Sequence, residues 1–238
     1  MIFAAGLGTR LKPLTDSKPK ALVEINGKPL LYYAITTLKK AGISSIIINT
    51  HHFSNQIIQY VHENQFDIEI EISDETDELL NTGGGLINAK HFLNGNEAFI
   101  VYNVDIISTI DLKQMLQYHT NKEALVTLAV MDRQTARYFL FDNENTLCGW
   151  KNKKENSQRI SRQSDSYKEL AFSGIQIINP QIFSLIKQTG TFPIVDTYLE
   201  LAKTHIIKGY NHTNTLWCDF GKLEELEKAE KMISKIFH

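Results

Sequence analysis

The first half of the chain alternates apolar, β-branched runs with segments of helical periodicity, and few architectures accept that alternation. Met1–Ala5 and Ser45–Asn49 (SIIIN) are short apolar runs, and the second is continuous enough for a strand buried on both faces. Ala98 to Tyr102 repeats the pattern, while Asp67 to Ser73 alternates and places Ile68, Ile70 and Ile72 on one strand face. Between them, Leu30, Leu31, Ala34, Ile35 and Leu38 recur at helical spacing after Pro29, with Gly42 as a stop. Ile57, Ile58 and Val61 do the same in a segment that Ser54 can cap and that ends near Asn64. This order predicts an α/β fold whose first half is a mostly parallel sheet with right-handed crossovers.

Between the first strand and the first helix lies the stretch AAGLGTRLKPLTDSKPKAL, Ala4 to Leu22. Gly6 and Gly8 let backbone N–H groups approach an anion with no Cβ in the way, and Arg10, Lys12, Lys18 and Lys20 supply matching charge. A phosphate-binding loop is the simple inference; a merely basic surface loop has the same composition. It is not a dinucleotide fingerprint, which needs glycine where Leu11 stands, and it lacks the Walker spacing.

Composition excludes several classes. With 238 residues and a net charge of −2, the chain is long enough for a large α/β domain and carries no basic field that would favour nucleic acid. No apolar run approaches the ~20 residues of a membrane span. The opening residues read as a core strand rather than a signal peptide, which points to a cytoplasmic protein. Cys148 and Cys218, only two and well separated, read as reduced thiols. The adjacent His51 and His52 would point opposite ways on a strand end and suit one metal poorly.

Further along, Leu79 to Leu86 (LLNTGGGL) puts three costly glycines before an expected helix, Leu86 to Leu93. It is either a flexible connection or a place where N–H groups meet a ligand. Asn103-Val104-Asp105 ends a buried strand, where open α/β sheets bind ligands; its aspartate is either a turn former or a carboxylate that can hold Mg²⁺ together with substrate phosphates. Asp111 caps a helix to about His119; strands follow at Ala124–Met131, Arg137–Asp142 and Thr146–Trp150, the last two forming a hairpin. Lys151 to Lys168 is polar and cationic, either a solvated loop or a lid. Leu170–Ile178 is a strand containing Phe172-Ser173-Gly174-Ile175, and its glycine suggests close approach by a ligand or another backbone. Helices at Phe183–Ile186 and Ile194–Ala202 and an extended segment from Ile206 precede Leu216-Trp217-Cys218-Asp219-Phe220-Gly221, which leads into an amphipathic helix from about Leu223 to Ile236.

Four of these stretches, in this order, resemble the sugar-1-phosphate nucleotidyltransferases. Gly6, Gly8, Thr9, Arg10, Leu11, Pro13, Leu14, Thr15, Pro19, Lys20 and Leu22 match the family's opening signature, G-x-G-T-R-L-x-P-L-T-x-x-x-P-K-x-L. The resemblance implies a Rossmann-like, GT-A-like fold with three α/β/α layers around a mixed, mostly parallel sheet. It implies a single domain over 1–238, its nucleotide half about 1–110 and its sugar-phosphate half about 111–238, with a few further residues ahead of Met1. It also implies nucleotide contacts from Ala4, Ala5, Gly6, Gly8, Thr9, Arg10, Lys20, Thr82, Gly83 and Gly84, with Arg10 facing the departing pyrophosphate and Lys20 the reacting phosphates. Asp105 and Asp219 would be the Mg²⁺ ligands, and Arg10, Lys20 and Asp105 the catalytic set. Asn103, Ser173 and Gly174 would border the sugar.

The chain departs from the family in three places: Val104 replaces the glycine of x-G-D, Phe220 replaces the Val or Ile of W-x-D-[VI]-G, and an E-K-P motif near Lys151–Lys168 is missing. The triple glycine and the F-S-G-I strand look most like uridylyltransferases acting on N-acetylmuramate 1-phosphate. GTP with mannose or heptose 1-phosphate, CTP with phosphocholine, and a catalytically silent nucleotide-sugar sensor remain alternatives. The partners implied are an NTP and a sugar 1-phosphate, with no nucleic acid and no membrane; the base and the oligomeric state are left open.

Overall fold

The computed structural model describes residues 1–237, and their contacts group into two compact units. The first contains Met1–Leu80, Tyr102–Ile110 and the stretch from Thr215 onward; the second contains Asn81–Val101 and Asp111–Asn214.

In the first unit the opening strand, Ile2–Phe3, lies between Ser45–Thr50 and the end of Phe99–Asn103, and Glu69–Asp74 pairs on the far side of Ser45–Thr50. All three pairings are parallel, as the strand–helix alternation predicts. Phe3 is in register with Asn49 and with Asn103, and Asn49 with Ser73. Four strand ends therefore finish along one edge, the edge at which parallel α/β sheets place their functional loops. Ile46, Ile47 and Ile48 have no exposed surface, which explains their unbroken apolar run. The Ile70–Ile72 face is only half-buried, because Glu69–Asp74 is the outer strand of this ladder.

The turn Asn26-Gly27 has φ of 50° and 73°, the two positive values that a two-residue hairpin loop demands. Pro29 then stands at the N-cap of the helix Leu30–Lys40, and Gly42 at φ 93° ends it. One expectation changes: Ser54 does not cap its helix. Phe53, at φ 57°, occupies that position, and the Ser54 hydroxyl instead bonds Thr50 Oγ1 at 2.8 Å.

In the second unit Lys168–Ile178 runs antiparallel to Val126–Met131 and to Arg137–Phe141, and Ile207–Asn211 runs parallel to Val126–Met131. A register shift between Phe172 and Gln176 surrounds Gly174, whose φ is 76°. The glycine in this strand marks a bulge. The stretch expected as a polar loop, Lys151 to Lys168, is largely a hairpin of Leu147–Asn152 with Ser157–Ile160. Four of its cations are engaged. Lys151 and Lys153 pair with Glu169 at 2.7 and 2.6 Å, Arg159 pairs with Asp196, and Arg162 donates to the carbonyls of Ala202 and His205.

Asp111 Oδ1 accepts from the Lys113 and Gln114 N–H groups, both at 3.0 Å, and starts the helix Leu112–Asn121. Asp111→Ala is expected to cost ~1 kcal/mol of stability, read as a small downward shift of the urea midpoint with an unchanged slope. Cys148 and Cys218 are buried free thiols. Among the described residues no helix is long and apolar enough to cross a membrane.

Candidate active site

The loop after the first strand is pinned from below by apolar and small residues. Leu11 and Ala21 have no exposed surface, and Thr15 is buried while its hydroxyl donates to the Gly8 carbonyl at 2.9 Å. Gly8 sits at φ 63°, and a Cβ there would lie 2.9 Å from Thr15 Cγ2 and 3.0 Å from Lys20 Cβ. It is a glycine because the loop folds over it. Gly6 is exposed, and a Cβ there would meet nothing within 4 Å, so its bare backbone faces open space. Ala4 and Ala5 are buried, and the Ala4 N–H is engaged by Asn49 Oδ1 at 2.7 Å.

Of the loop's lysines, only Lys20 reaches a carboxylate deep in this unit. Lys12 pairs at 3.2 Å with Asp16, both largely exposed. Lys20 begins a 3-10 turn, Lys20–Leu22, after Pro19, and its ammonium donates to Asp105 Oδ2. Their side chains are 12% and 17% exposed, so water screens this pair weakly.

Asp105 follows the strand Phe99–Asn103, and the next strand, Ile106–Ser108, pairs antiparallel with Trp217–Asp219. Ile106 faces Asp219, and the Phe220 N–H donates to the Asp105 carbonyl at 2.9 Å. This short ladder brings together two aspartates from distant parts of the sequence. Asp219 Oδ1 is buried with no hydrogen-bond partner. Burial first, and the charge of Asp105 second, raise the Asp219 carboxyl above its ordinary range, while Lys20 opposes the shift.

Arg10 is exposed and its guanidinium lies over Gly221: a Cβ on that glycine would be 3.1 Å from Asp219 Oδ1 and 3.3 Å from Arg10 Nη2. Arg10, Lys20, Asp105 and Asp219 therefore gather in one unit, beside the exposed Gly6 and Thr9. Two cations with two hard oxygen donors can neutralise crowded phosphate charge. Among the described residues no group of three or more His, Cys, Asp or Glu side chains is placed to hold a metal ion. His51 bonds the Glu75 carbonyl through Nδ1 at 2.6 Å, and the His52 ring lies tilted against Phe53.

The triple glycine differs from its expected form. The helix begins at Asn81 and runs to Asn88, so Gly83, Gly84 and Gly85 lie inside it rather than ahead of it. The Gly83 N–H donates to the Phe192 carbonyl at 2.8 Å, and a Cβ on Gly83 would fall 2.2 Å from the Phe192 ring. Thr82 Oγ1 accepts from the Ile194 N–H at 3.0 Å, and the Thr82 N–H donates to Asn81 Oδ1 at 2.7 Å. Close packing on Phe192 accounts for the glycine at position 83.

Asn103, half-exposed, ends its strand next to Phe3. Ser173 is fully buried, with its hydroxyl 2.7 Å from His212 Nε2, and Gly174 makes the bulge beside it. Burial pushes the His212 imidazole down to about 4, with Arg133 adding to the shift, so the ring is neutral near pH 7.

Sequence reasoning did not single out Asn49, Glu75 or Phe192. Asn49 left a faint signal as the polar end of an apolar strand; the other two left none, because their partners are distant in the chain.

Residues 1–236 match the protein family described as "Nucleotidyl transferase". The chain is 28% identical over 233 residues to the N-acetylmuramate alpha-1-phosphate uridylyltransferase of Neisseria meningitidis, covering 98% of this chain and 96% of that protein. It is 30% identical over 229 residues to the mannose-1-phosphate guanylyltransferase catalytic subunit beta of Drosophila pseudoobscura pseudoobscura, covering 93% of this chain and 58% of that longer protein. Among solved structures it resembles HddC from Yersinia pseudotuberculosis with a TM-score of 0.78 at 24% identity, covering 97% of this chain and 96% of that one. A UDP-glucose pyrophosphorylase complexed with UDP-glucose superposes equally well, with a TM-score of 0.78 at 21% identity over 98% of this chain and 97% of that one.

Proposed function

Since the chain belongs to the nucleotidyl transferase family, we propose that it transfers a nucleoside monophosphate from an NTP to a sugar 1-phosphate and releases pyrophosphate. The observation that carries this reading is the gathering of Lys20, Asp105 and Asp219 beneath a glycine-bearing loop that presents Arg10.

The chemistry asks little of the side chains beyond charge and position. A sugar-phosphate oxygen is already an anion, so the attack on the α-phosphorus needs no general base and no covalent intermediate. In-line alignment and neutralisation of charge remain. Lys20, held on Asp105, would turn its ammonium to the triphosphate. Arg10, exposed on the same loop, offers a planar fork to the leaving pyrophosphate.

A divalent ion fits the residues present. Asp219 Oδ1 is a buried anionic oxygen without a donor, Asp105 lies beside it, and both are hard ligands of the kind that Mg²⁺ shares with substrate phosphates. Bound there, Mg²⁺ would neutralise charge on the phosphates.

UTP and an N-acetylmuramate-type sugar are the favoured pair, supported by the nearly full-length likeness to the Neisseria enzyme. GTP with mannose 1-phosphate is the second reading, on the strength of the 30% identity to the Drosophila subunit. Either substrate pair belongs in the cytoplasm, where NTPs are made. The test is pyrophosphate release by the purified protein with each of four NTPs against a panel of sugar 1-phosphates in Mg²⁺ buffer. UTP with N-acetylmuramate 1-phosphate should give the highest kcat/KM. Release with no pair, alongside saturable binding of a nucleotide sugar, would instead identify a sensor.

A further inference from the structure

Glu75 is among the buried ionisable groups that the proposed chemistry leaves unused. Glu75 is 3% exposed, lies just beyond the strand Glu69–Asp74, and burial raises its carboxyl above the usual range. Its backbone is fixed from two sides, with the N–H donating to the Thr50 carbonyl at 2.8 Å and the carbonyl meeting His51 Nδ1. Its carboxylate accepts from Asn49 Nδ2 at 2.7 Å through Oε1 and from the Leu80 N–H at 3.3 Å through Oε2. Asn49 is 3% exposed, and its Oδ1 accepts from the Ala4 N–H at 2.7 Å.

These contacts form a chain of fixed polarity. The Ala4 N–H is a donor and cannot be otherwise, so Asn49 must turn its oxygen to Ala4 and its NH₂ to Glu75. The Leu80 N–H is likewise a donor. The residue at position 75 must therefore accept at both ends, which a carboxylate does and an amide cannot. One end of the chain is the residue where the first strand empties into the Gly6–Lys20 loop, and the other immediately precedes Asn81-Thr82-Gly83.

We propose that Asn49 and Glu75 are positioning residues for nucleotide binding, a single hydrogen-bond relay that fixes the start of the phosphate loop against the segment that ends at Leu80. The proposal rests on the reading of the Gly6–Lys20 segment as a nucleotide loop. It asks neither residue to touch the substrate. Buried polar chains hold their members more firmly than isolated bonds do, and a broken member leaves unsatisfied groups behind. Misplacement of the loop weakens ground-state and transition-state binding of the nucleotide alike. It therefore appears in KM for the NTP rather than in kcat.

The polarity supplies its own test. Glu75→Gln puts an NH₂ against either Asn49 Nδ2 or the Leu80 N–H. Asn49→Asp puts two carboxylates face to face. The double variant Asn49→Asp with Glu75→Gln restores every donor–acceptor pair: the new carboxylate accepts from the Ala4 N–H and from the new amide, whose oxygen accepts from the Leu80 N–H. Each single variant should raise KM for UTP about tenfold, with kcat and KM for the sugar 1-phosphate changed less than about threefold, and the double variant should return KM to near the wild-type value. Melting temperatures of all four proteins set the assay temperature well below unfolding, and calorimetric titration with UTP and with GTP follows affinity without turnover. Unchanged nucleotide KM and affinity in both single variants would overturn the relay. So would single variants that are impaired but not rescued in the double, because the polarity would then not be the cause. A wild-type protein that binds nucleotide but transfers nothing overturns the transferase reading and leaves the relay judged on affinity. A wild-type protein that binds neither nucleotide overturns both.

Discussion

Lys20→Ala is expected to lower kcat about 100- to 1000-fold, the loss of ~3–4 kcal/mol that follows removal of one preorganised charge from a transition state. Two features make Lys20 the most sensitive position. Its ammonium is the cation held on Asp105, and the side chains of both are more than four-fifths shielded from water. Lys12, its neighbour in the loop, is not a substitute, because it pairs with Asp16 at the surface. Removing Lys20 also leaves Asp105 and Asp219 repelling each other, so Lys20→Met, which keeps the stem, belongs in the same experiment. Both variants are compared with wild type by pyrophosphate release and by melting temperature. Near-normal turnover in a folded Lys20→Ala protein would remove the basis of the transferase reading.

Gly83→Ala is expected to destabilise the fold by about 2 kcal/mol, although the same change inside a helix ordinarily stabilises by up to ~1 kcal/mol. The local gain is outweighed by contact: a methyl group would fall 2.2 Å from the Phe192 ring and 2.8 Å from the Phe192 carbonyl. The carbonyl cannot retreat without giving up its 2.8 Å bond from the Gly83 N–H. At this chain length ~2 kcal/mol corresponds to a melting-temperature drop of about 4–8 °C. Gly95→Ala is the control, since a Cβ there meets nothing within 4 Å. Equal melting temperatures for the two variants would show that Gly83 does not owe its identity to Phe192.

How far the chain could be read before its structure depended on whether a feature was local. The parallel order of the first unit followed from the SIIIN run and the amphipathic segment Leu30–Lys40, each governed by neighbours in sequence. Ser54 failed as a cap because a tertiary partner, the Thr50 hydroxyl, claimed its side chain. Lys151–Lys168 reads as a loop from its polar composition, which announces neither its strand pairing nor the partners of its cations, Glu169 and Asp196.

The same division runs through the site. The sequence by itself determined which groups are present: the glycines, Arg10 and Lys20 in one short loop, and an aspartate in each of two later motifs. Residue type and spacing record chemistry directly, and a loop's own backbone decides where its glycines are needed. Only the tertiary structure decided which of these groups meet. Antiparallel pairing of Ile106–Ser108 with Trp217–Asp219 sets Asp219 beside Asp105, and burial leaves one Asp219 oxygen without a donor. Packing against Phe192 turned the triple glycine from a supposed open loop into the body of a helix. Asn49 and Glu75 came to light only when the ends of parallel strands lay side by side, because a hydrogen bond is a property of distance in space and not along the chain.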